Sequence, residues 1–190
     1  DGAPLHARLY RAETADASAS PVLLYLHGGG LVIGSIATHD MLCRDLCARS
    51  GGSVVSLDYR RAPEHPFPAA FDDACDALEW LHANAATIGC NAARIAIGGD
   101  SAGGALAASV AIRARDERLP LAFQLLITPH TAAEPTASRR AFAQGFLLDT
   151  ATIDWFFDHA VAPSHRTDWR FAPLHADDLD GVASACIVLA

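Results

Sequence analysis

A serine with a glycine two residues before it and two residues after it lies in the segment GDSAG, Gly99–Gly103. Ser101 stands between an apolar run and a stretch of small residues, a pattern that predicts a strand, a sharp turn and a helix. The G-x-S-x-G arrangement in this setting is typical of a nucleophilic serine on a strained turn at the carboxyl end of a sheet. The helix amino terminus there favours developing negative charge. We therefore predict that Ser101 is a catalytic nucleophile rather than an ordinary helix N-cap.

Three consecutive glycines follow His27 at the end of another apolar run: Gly28, Gly29 and Gly30. Acyl transfer requires backbone N–H groups aimed at the oxyanion of a tetrahedral intermediate, and glycines expose such donors. The N–H of Ala102, the residue after the serine, is the matching donor. We predict that the three glycines and Ala102 form an oxyanion hole. The sequence patterns of nucleotide-binding loops, G-x-x-x-x-G-K-[ST] and G-x-G-x-x-G, are absent from this segment, so a nucleotide site is not expected here. We expect His27 to anchor the segment 27–30, which we call the glycine loop.

The elements that must position these residues alternate regularly along the chain. Apolar runs and two-residue alternation predict strands at 5–10, 21–27, 53–59, 94–99, 121–127 and 185–190, the last of them a core strand. Helical spacing predicts helices at 38–51, 69–84 and 102–115. Such alternation favours an α/β fold whose mostly parallel sheet carries helices on both faces.

The stretch 131–180 breaks the alternation. It is interrupted by Pro163 and Pro173 and is rich in aromatic residues, namely Phe142, Phe146, Trp155, Phe156, Phe157, Trp169 and Phe171. We predict that this cap segment (131–180) is a helical insertion over one end of the sheet. The whole chain, 1–190, is expected to be a single α/β domain.

Composition narrows the class of protein. The 190 residues suit one domain with a full core, and 51% hydrophobic with 19% charged residues indicates a globular chain. The formal net charge is −8, from 22 acidic and 14 basic residues, and adjacent arginines occur only at Arg60–Arg61 and Arg139–Arg140. A nucleic-acid partner is therefore not expected. No apolar run has the length of a membrane span, and no signal peptide is visible. We expect a cytoplasmic location, with the natural amino terminus preceding Asp1.

The five cysteines are odd in number and lack a C-x-x-C pair, so a disulfide framework is not expected. His39, Cys43 and Cys47 fall four residues apart and would share one helical face. Three ligands fall short of the four that structural zinc uses, so we expect no metal. The favoured interpretation is a buried helix face in which cysteine acts as a small apolar residue.

The glycine loop and the serine motif belong to a wider resemblance. The motifs are HGGG at 27–30, DYRRAPEHPFPAAFDDA at 58–74 and GDSAGG at 99–104, with weaker similarity in GFLLD at 145–149 and APLHADDLDGV at 172–182. In this order and spacing, the chain resembles the bacterial esterase branch of the hormone-sensitive lipase family of α/β-hydrolases over essentially its whole length.

The resemblance implies an α/β-hydrolase fold and a carboxylic ester hydrolase that acts on short to medium acyl esters without metal or cofactor. It implies that Ser101 is the nucleophile and that the glycine loop with Ala102 binds the oxyanion. It also implies that Arg60 and Glu64 hold the loop 59–68 under the active site.

The chain departs from the family in its triad. In this family the acid follows the strand that 185–190 resembles, and the histidine follows a later strand. We therefore expect that the C-terminal part of the fold, with the acid and the base, lies beyond Ala190, and that cap helices precede Asp1. His130 ends a strand on the same rim as Ser101, and it is expected to line the substrate pocket rather than to act as the base. Asp100 is interpreted as a structural carboxylate.

Three hypotheses follow. The first is an esterase of small-molecule esters, monomeric or homodimeric, whose remaining triad residues lie outside the 190 residues. The second is a ligand-binding receptor on the same scaffold, because plant gibberellin receptors resemble this family, keep the serine motif and lose the histidine. The third is an inactive truncated form, in which the apolar strand 185–190 would end the sheet uncovered.

Two histidines of the cap segment, His159 and His165, are expected at the surface.

Overall fold

The computed structural model describes residues 4–12, 20–144 and 148–189. Within these ranges the strands are β1 (His6–Tyr10), β2 (Ser20–Leu26), β3 (Ser53–Asp58), β4 (Cys90–Asp100), β5 (Phe123–Ile127) and β6 (Ala185–Val188). The α-helices are α1 (Asp40–Ser50), α2 (Ala69–Asn84), α3 (Ala102–Asp116), α4 (Ala137–Ala141) and α5 (Thr150–Ala160). Short 3-10 helices lie at Ala85–Ile88, Pro163–His165 and Pro173–His175.

The strands form one sheet in the order β1-β3-β2-β4-β5-β6. β1 runs antiparallel to β3, and the other neighbouring strands are parallel, so the predicted mostly parallel sheet is confirmed. The register pairs Leu26 of β2 with Gly99 of β4, and Asp100 of β4 with Ile127 of β5. The carboxyl ends of these strands therefore meet at one edge, where the glycine loop lies beside Ser101.

Helices cover both faces of the central strands, as the alternation predicted. Because successive side chains of a strand point to opposite faces, Leu24 and Leu26 enter the larger core beneath α2 and α3, whereas Tyr25 enters a smaller core beneath α1. Cys43 and Cys47 of α1 are buried in that smaller core, as the interpretation of a cysteine-containing apolar helix face expected.

The strand predicted at 185–190 is present as β6, but within the described residues it is not buried in a core. β6 pairs with β5 at the sheet edge, and all four of its residues are exposed, with Ile187 57% exposed. Periodicity identified the strand, but burial depends on what packs against it. Within the described residues no helix covers this edge.

The loop 59–68 is held by a different pair of residues from the one expected. Arg60 binds Asp73 of α2 through its backbone N–H (2.8 Å), Nε (2.9 Å) and Nη2 (2.6 Å), and the Asp73 side chain is only 2% exposed. Glu64, by contrast, is exposed and has no hydrogen-bond or ion-pair partner among the described residues. The expectation that Glu64 holds the loop is therefore wrong, because its side chain points into solvent rather than toward α2.

The cap segment contains α4, α5 and the two 3-10 helices at 163–165 and 173–175. It is tied to the sheet region by the Ser109 hydroxyl, which donates to the Trp169 carbonyl (2.9 Å), and by the Phe67 N–H, which donates to the Ala160 carbonyl (2.8 Å). Of the predicted GFLLD motif, residues 145–147 lie outside the described residues. In the described ranges, every helix is too short or too polar to cross a membrane.

The buried Arg60–Asp73 pair yields a stability prediction. Asp73→Ala leaves the partly buried Arg60 guanidinium without its carboxylate, and we expect a loss of about 2–4 kcal/mol in the free energy of unfolding. The matched control is Asp45→Ala, which removes the exposed ion pair with Arg49 (2.7 Å) and should cost much less, because solvent screens exposed charges. Urea unfolding followed by circular dichroism measures both, and equal losses would contradict a role for burial.

Candidate active site

A single residue, Ser101, makes the turn between β4 and α3. Its backbone has φ 52° and ψ −118°, a conformation that non-glycine residues rarely adopt. The Ser101 N–H donates to the Ile127 carbonyl (2.9 Å), and the Ser101 carbonyl accepts from the Ala105 N–H (3.1 Å). The strained turn is thus held between β5 and the first turn of α3. This is the strand–turn–helix elbow that the sequence predicted.

The two motif glycines let α3 begin directly against the end of β2. A Cβ atom on Gly99 would lie 2.3 Å from the Leu26 carbonyl oxygen, and one on Gly103 would lie 2.0 Å from the same atom. Both distances are far below van der Waals contact, so any side chain would push the helix away from the sheet. The glycines therefore set the position of the Ser101 turn relative to the glycine loop.

The glycine loop begins where β2 ends. Gly29 and Gly30 have positive φ angles of 126° and 63°, and the Gly29 carbonyl accepts from the N–H groups of Val32 (3.0 Å) and Ile33 (2.9 Å). Among the described residues, none accepts a hydrogen bond from the N–H of Gly29 or Gly30. These two donors are available to an oxyanion, as is the N–H of Ala102, the first residue of α3, which has no partner within its helix.

The predicted donor at Gly28 is already engaged. Its N–H donates to Asp100 Oδ1 at 3.0 Å, and a Cβ atom on Gly28 would lie 2.2 Å from Asp100 Oδ2. The sequence prediction treated the three glycines alike, because nothing local in the sequence reveals that Asp100 reaches the first of them. The set of donors that the geometry leaves available is therefore Gly29, Gly30 and Ala102.

His27 lies beneath the glycine loop, fully buried. Its Nδ1–H donates to the Gly28 carbonyl (2.9 Å), its ring stacks on Tyr59 at 4.2 Å between centroids, and its own carbonyl accepts from the Tyr59 hydroxyl (2.6 Å). Burial lowers the pKa of this imidazole, so it is neutral at pH 7. These contacts are those of the loop anchor that was expected of His27.

No described histidine lies within hydrogen-bond distance of the Ser101 hydroxyl. The His130 ring packs between Phe157 and Phe171, each 5.5 Å away, and burial lowers its pKa to about 4. Its Nε2 is buried with no partner in the described structure. His130 is thus a neutral imidazole enclosed by aromatic side chains of the cap segment, not a base at Ser101.

The remaining histidines of interest lie elsewhere. His159 of α5 packs against Trp155 with ring centroids 4.2 Å apart and is half-buried rather than at the surface, whereas His165 is exposed as expected. His39 does not join Cys43 and Cys47, because its Nε2 faces the Asp100 carboxylate at 3.2–3.3 Å. Within the described ranges, no group of three or more His, Cys, Asp or Glu side chains is arranged to hold a metal ion.

Sequence reasoning missed His39 as a site residue. The available signal was topological, since His39 directly precedes α1, the helix that follows β2. A helix that follows a parallel strand begins at the carboxyl edge of the sheet, which is the edge where Ser101 lies. The four-residue spacing to the cysteines drew attention to the wrong neighbours.

Phe156 of α5 brings the cap segment onto the glycine loop. A Cβ atom on Gly30 would lie 2.3 Å from Phe156 Cγ, so the ring occupies the space beside this glycine. Chemically, the site combines a hydroxyl on a strained turn, backbone donors beside it and an apolar ring over those donors. Such an arrangement suits attack on a carbonyl whose oxygen becomes negatively charged.

The family model of the alpha/beta hydrolase fold matches residues 23–190. The chain belongs to the alpha/beta hydrolase fold family. The matching family is that of the hormone-sensitive-lipase-like esterases, which confirms the resemblance carried by the three motifs.

Two relatives of this alpha/beta hydrolase are named as ester hydrolases. The chain is 41% identical to an ethyl acetate hydrolase of Pseudomonas putida, covering 100% of this chain and 61% of the relative. It is 42% identical to the carboxylic ester hydrolase LipN of Mycobacterium tuberculosis, covering 97% and 51%. The chain therefore spans about half to three fifths of the length of these curated relatives.

A solved structure supports the same fold. An ester hydrolase from the metagenome of Lake Arreo, in complex with a derivative of bipyridine phosphonate, superposes with a TM-score of 0.91 at 47% identity. The match covers 95% of this alpha/beta hydrolase chain and 58% of that structure.

The enclosed imidazole of His130 predicts a pH-dependent stability. Its folded pKa of about 4 lies below the ordinary value of 6.5, so the unfolded chain binds the extra proton between these pH values. The free energy of unfolding should therefore fall as the pH falls through this window, by about 2 kcal/mol between pH 7 and 5 from His130 alone. His130→Leu should remove this contribution.

Urea unfolding of both proteins at pH 7, 6 and 5 measures the difference. His6→Leu, which removes an exposed imidazole on β1, is the control and should keep the pH dependence of the unsubstituted chain. Parallel pH curves for His130→Leu and the unsubstituted chain would contradict the prediction.

Proposed function

We propose that this chain supplies the nucleophile and the oxyanion-binding backbone of a carboxylic ester hydrolase. The observation that carries the proposal is the strained Ser101 turn beside a glycine loop with two available N–H donors. The names of the relatives, an ethyl acetate hydrolase and a carboxylic ester hydrolase, support the same reaction class.

In the proposed reaction, the Ser101 hydroxyl oxygen attacks the ester carbonyl carbon. The carbonyl oxygen becomes negatively charged and accepts hydrogen bonds from Gly29, Gly30 and Ala102. The hydroxyl proton passes to a histidine, which returns it to the departing alcohol, and water then releases the acid from the acyl-enzyme. We assign that histidine and its carboxylate partner to residues outside the described chain, because no described histidine reaches Ser101.

We extend the proposal to esters of short and medium acyl chains. Support comes from the apolar ring of Phe156 beside Gly30. Ethyl acetate, the substrate in the name of the P. putida relative, belongs to this class. A cytoplasmic location and a homodimer stay predictions, which cell fractionation and analytical ultracentrifugation would measure.

The second candidate is a ligand-binding protein on the same fold. The described residues fit both candidates, because no described histidine reaches the Ser101 hydroxyl. The two candidates differ in whether a base reaches the serine, so turnover distinguishes them.

Ser101→Ala tests the proposed nucleophile in the protein expressed from the full reading frame that encodes this chain. We expect hydrolysis of p-nitrophenyl butyrate to fall by at least about 1,000-fold, because the attacking oxygen is removed. An activated p-nitrophenyl alkylphosphonate should label the unsubstituted protein at Ser101, with loss of p-nitrophenolate, and should not label the variant. Mass spectrometry of the labelled peptide measures this.

The control is Ser138→Ala, which removes an exposed hydroxyl on α4 and should leave the rates of ester hydrolysis and of phosphonate labelling unchanged. Turnover that survives in Ser101→Ala would overturn the assignment of the nucleophile. An unsubstituted protein without turnover or labelling would favour the ligand-binding candidate.

Gly30→Ala tests the glycine loop. The added Cβ atom would collide with the Phe156 ring, and residue 30 would have to keep a φ of 63°, which side-chain-bearing residues rarely adopt. We therefore expect the loop donors to move and kcat to fall about 100-fold. If the collision is the cause, the double variant Gly30→Ala/Phe156→Ala should recover part of the loss. Gly51→Ala is the matched control, because Gly51 has a similar φ of 68° but open space around its Cβ position.

Steady-state kinetics with p-nitrophenyl butyrate measures these effects. A Gly30→Ala variant with unchanged kcat would remove Gly30 from the proposed oxyanion hole. If the double variant is no faster than Gly30→Ala, the loss of kcat comes from backbone strain and not from the Phe156 contact.

A further inference from the structure

The carboxylate of Asp100 gathers donors from three separate parts of the chain. Its Oδ1 accepts from the Tyr25 hydroxyl of β2 (2.7 Å) and from the Gly28 N–H of the glycine loop (3.0 Å). His39 Nε2, at the start of α1, lies 3.2 Å from Oδ1 and 3.3 Å from Oδ2. Asp100 is also the residue directly before Ser101, so its contacts connect the nucleophile turn with the loop.

The hydrogen bonds around His39 indicate that both of its ring nitrogens carry a proton and donate. The Thr38 hydroxyl donates to the Ser35 carbonyl (2.9 Å) and accepts from the Ser35 N–H (2.9 Å). With its one proton assigned to the Ser35 carbonyl, its 2.9 Å contact with His39 Nδ1 assigns a proton to Nδ1. An ionised carboxylate only accepts, so Nε2 donates as well. This pattern is that of an imidazolium paired with the Asp100 carboxylate.

The charges around the pair favour the same state. The hydrogen bond that His39 donates to Asp100 raises the pKa of His39 above its ordinary value, against the opposing effect of burial. Burial opposes ionisation of Asp100, but the hydrogen bonds from His39 and Tyr25 outweigh it and lower the pKa of Asp100. The other titratable groups that face His39 are Tyr25, 6.3 Å away between ring centroids, and the neutral His27, 5.6 Å away. The carboxylate of Asp40, next in the chain, is directed to Arg8, Arg44 and Tyr10.

We propose that Asp100 and His39 are positioning residues that hold the glycine loop against the Ser101 turn. The inference rests on the proposed function, since it concerns the donors of the same oxyanion hole. Gly28 is fixed to Asp100, and Ala102 lies two residues after Asp100 in the chain. The carboxylate therefore sets the distance between the loop donors, Gly29 and Gly30, and the helix donor, Ala102. His39 in turn orients the carboxylate, because its Nε2 contacts both carboxylate oxygens.

A displacement of the donors by a fraction of an ångström weakens their interaction with the transition state more than with the substrate. Loss of His39 should therefore lower kcat and leave KM nearly unchanged. A purely structural residue would instead lower thermal stability with kcat per folded molecule preserved. The two roles are separable by measurement.

The experiment compares His39→Ala with His39→Gln in the protein expressed from the full reading frame. His39→Ala should lower kcat for p-nitrophenyl butyrate about tenfold. His39→Gln places an amide N–H₂ near the position of Nε2 and should retain kcat within about threefold of the unsubstituted value. His6→Ala, an exposed histidine on β1, is the control and should leave kcat unchanged. Thermal melts confirm that each variant is folded at the assay temperature.

Two measurements do not need activity, so they separate this inference from the proposed function. NMR titration should give His39 a lower pKa in Asp100→Asn than in the unsubstituted protein. Amide hydrogen exchange at Gly28 should be faster in His39→Ala than in His39→Gln. A protein without ester hydrolysis that shows both effects would contradict the proposed function and support the positioning contact.

The inference is overturned if folded His39→Ala keeps the unsubstituted kcat, or if the Gln and Ala variants lose kcat equally. It is also overturned if the His39 pKa is the same in Asp100→Asn as in the unsubstituted protein.

Discussion

The close approach of α3 to the end of β2 is the constraint on which the candidate active site depends. The Leu26 carbonyl oxygen leaves no space for a Cβ atom at Gly99 or Gly103, so helix and strand touch through backbone alone. Because α3 begins at Ala102 and β4 ends at Asp100, only one residue lies between the strand and the helix. Ser101 makes that change at a φ of 52°, and its side chain projects at the sheet edge as a result.

Packing along the rest of α3 stabilises the strained turn. A residue in such a backbone region costs about 1–3 kcal/mol. Leu106, Val110 and Ile112 are each at most 4% exposed, and burying one such side chain contributes about 1.5–3 kcal/mol. The hydrogen bond from the Ser101 N–H to Ile127 adds a further tie to β5. The helix is therefore held against the sheet strongly enough to impose the unfavourable serine conformation.

Local signals predicted much of this fold, because the features concerned depend on neighbouring residues. The bounds of α2, Ala69–Asn84, and the start of α3 at Ala102 were predicted from spacing and small residues alone. Features that depend on distant residues were not. Glu64 was expected to hold a loop that Asp73 of α2 holds, and the exposure of β6 depends on its place at the sheet edge.

The site shows the same division. The G-x-S-x-G spacing identified the turn at Ser101, since its requirements are met within five residues. The contact of Asp100 with His39, 61 residues earlier in the chain, follows only from the strand order, which brings the start of α1 beside the end of β4. Sequence spacing grouped His39 with cysteines on its own helix, whereas the fold placed it on a carboxylate from another strand.

The three glycines of the loop look equivalent in the sequence, yet a different neighbour excludes a side chain at each. At Gly28 the obstacle is the Asp100 carboxylate, at Gly29 it is the Ile33 carbonyl oxygen (2.2 Å), and at Gly30 it is the Phe156 ring. These obstacles belong to the end of β4 before the Ser101 turn, to the segment that follows the loop and to the cap segment. The loop is thus the place where three parts of the chain meet, and each limits its position from a different side. The proposed oxyanion donors Gly29 and Gly30, confined in this way, would need little reorganisation when negative charge develops beside them, and that pre-organisation is what oxyanion stabilisation requires.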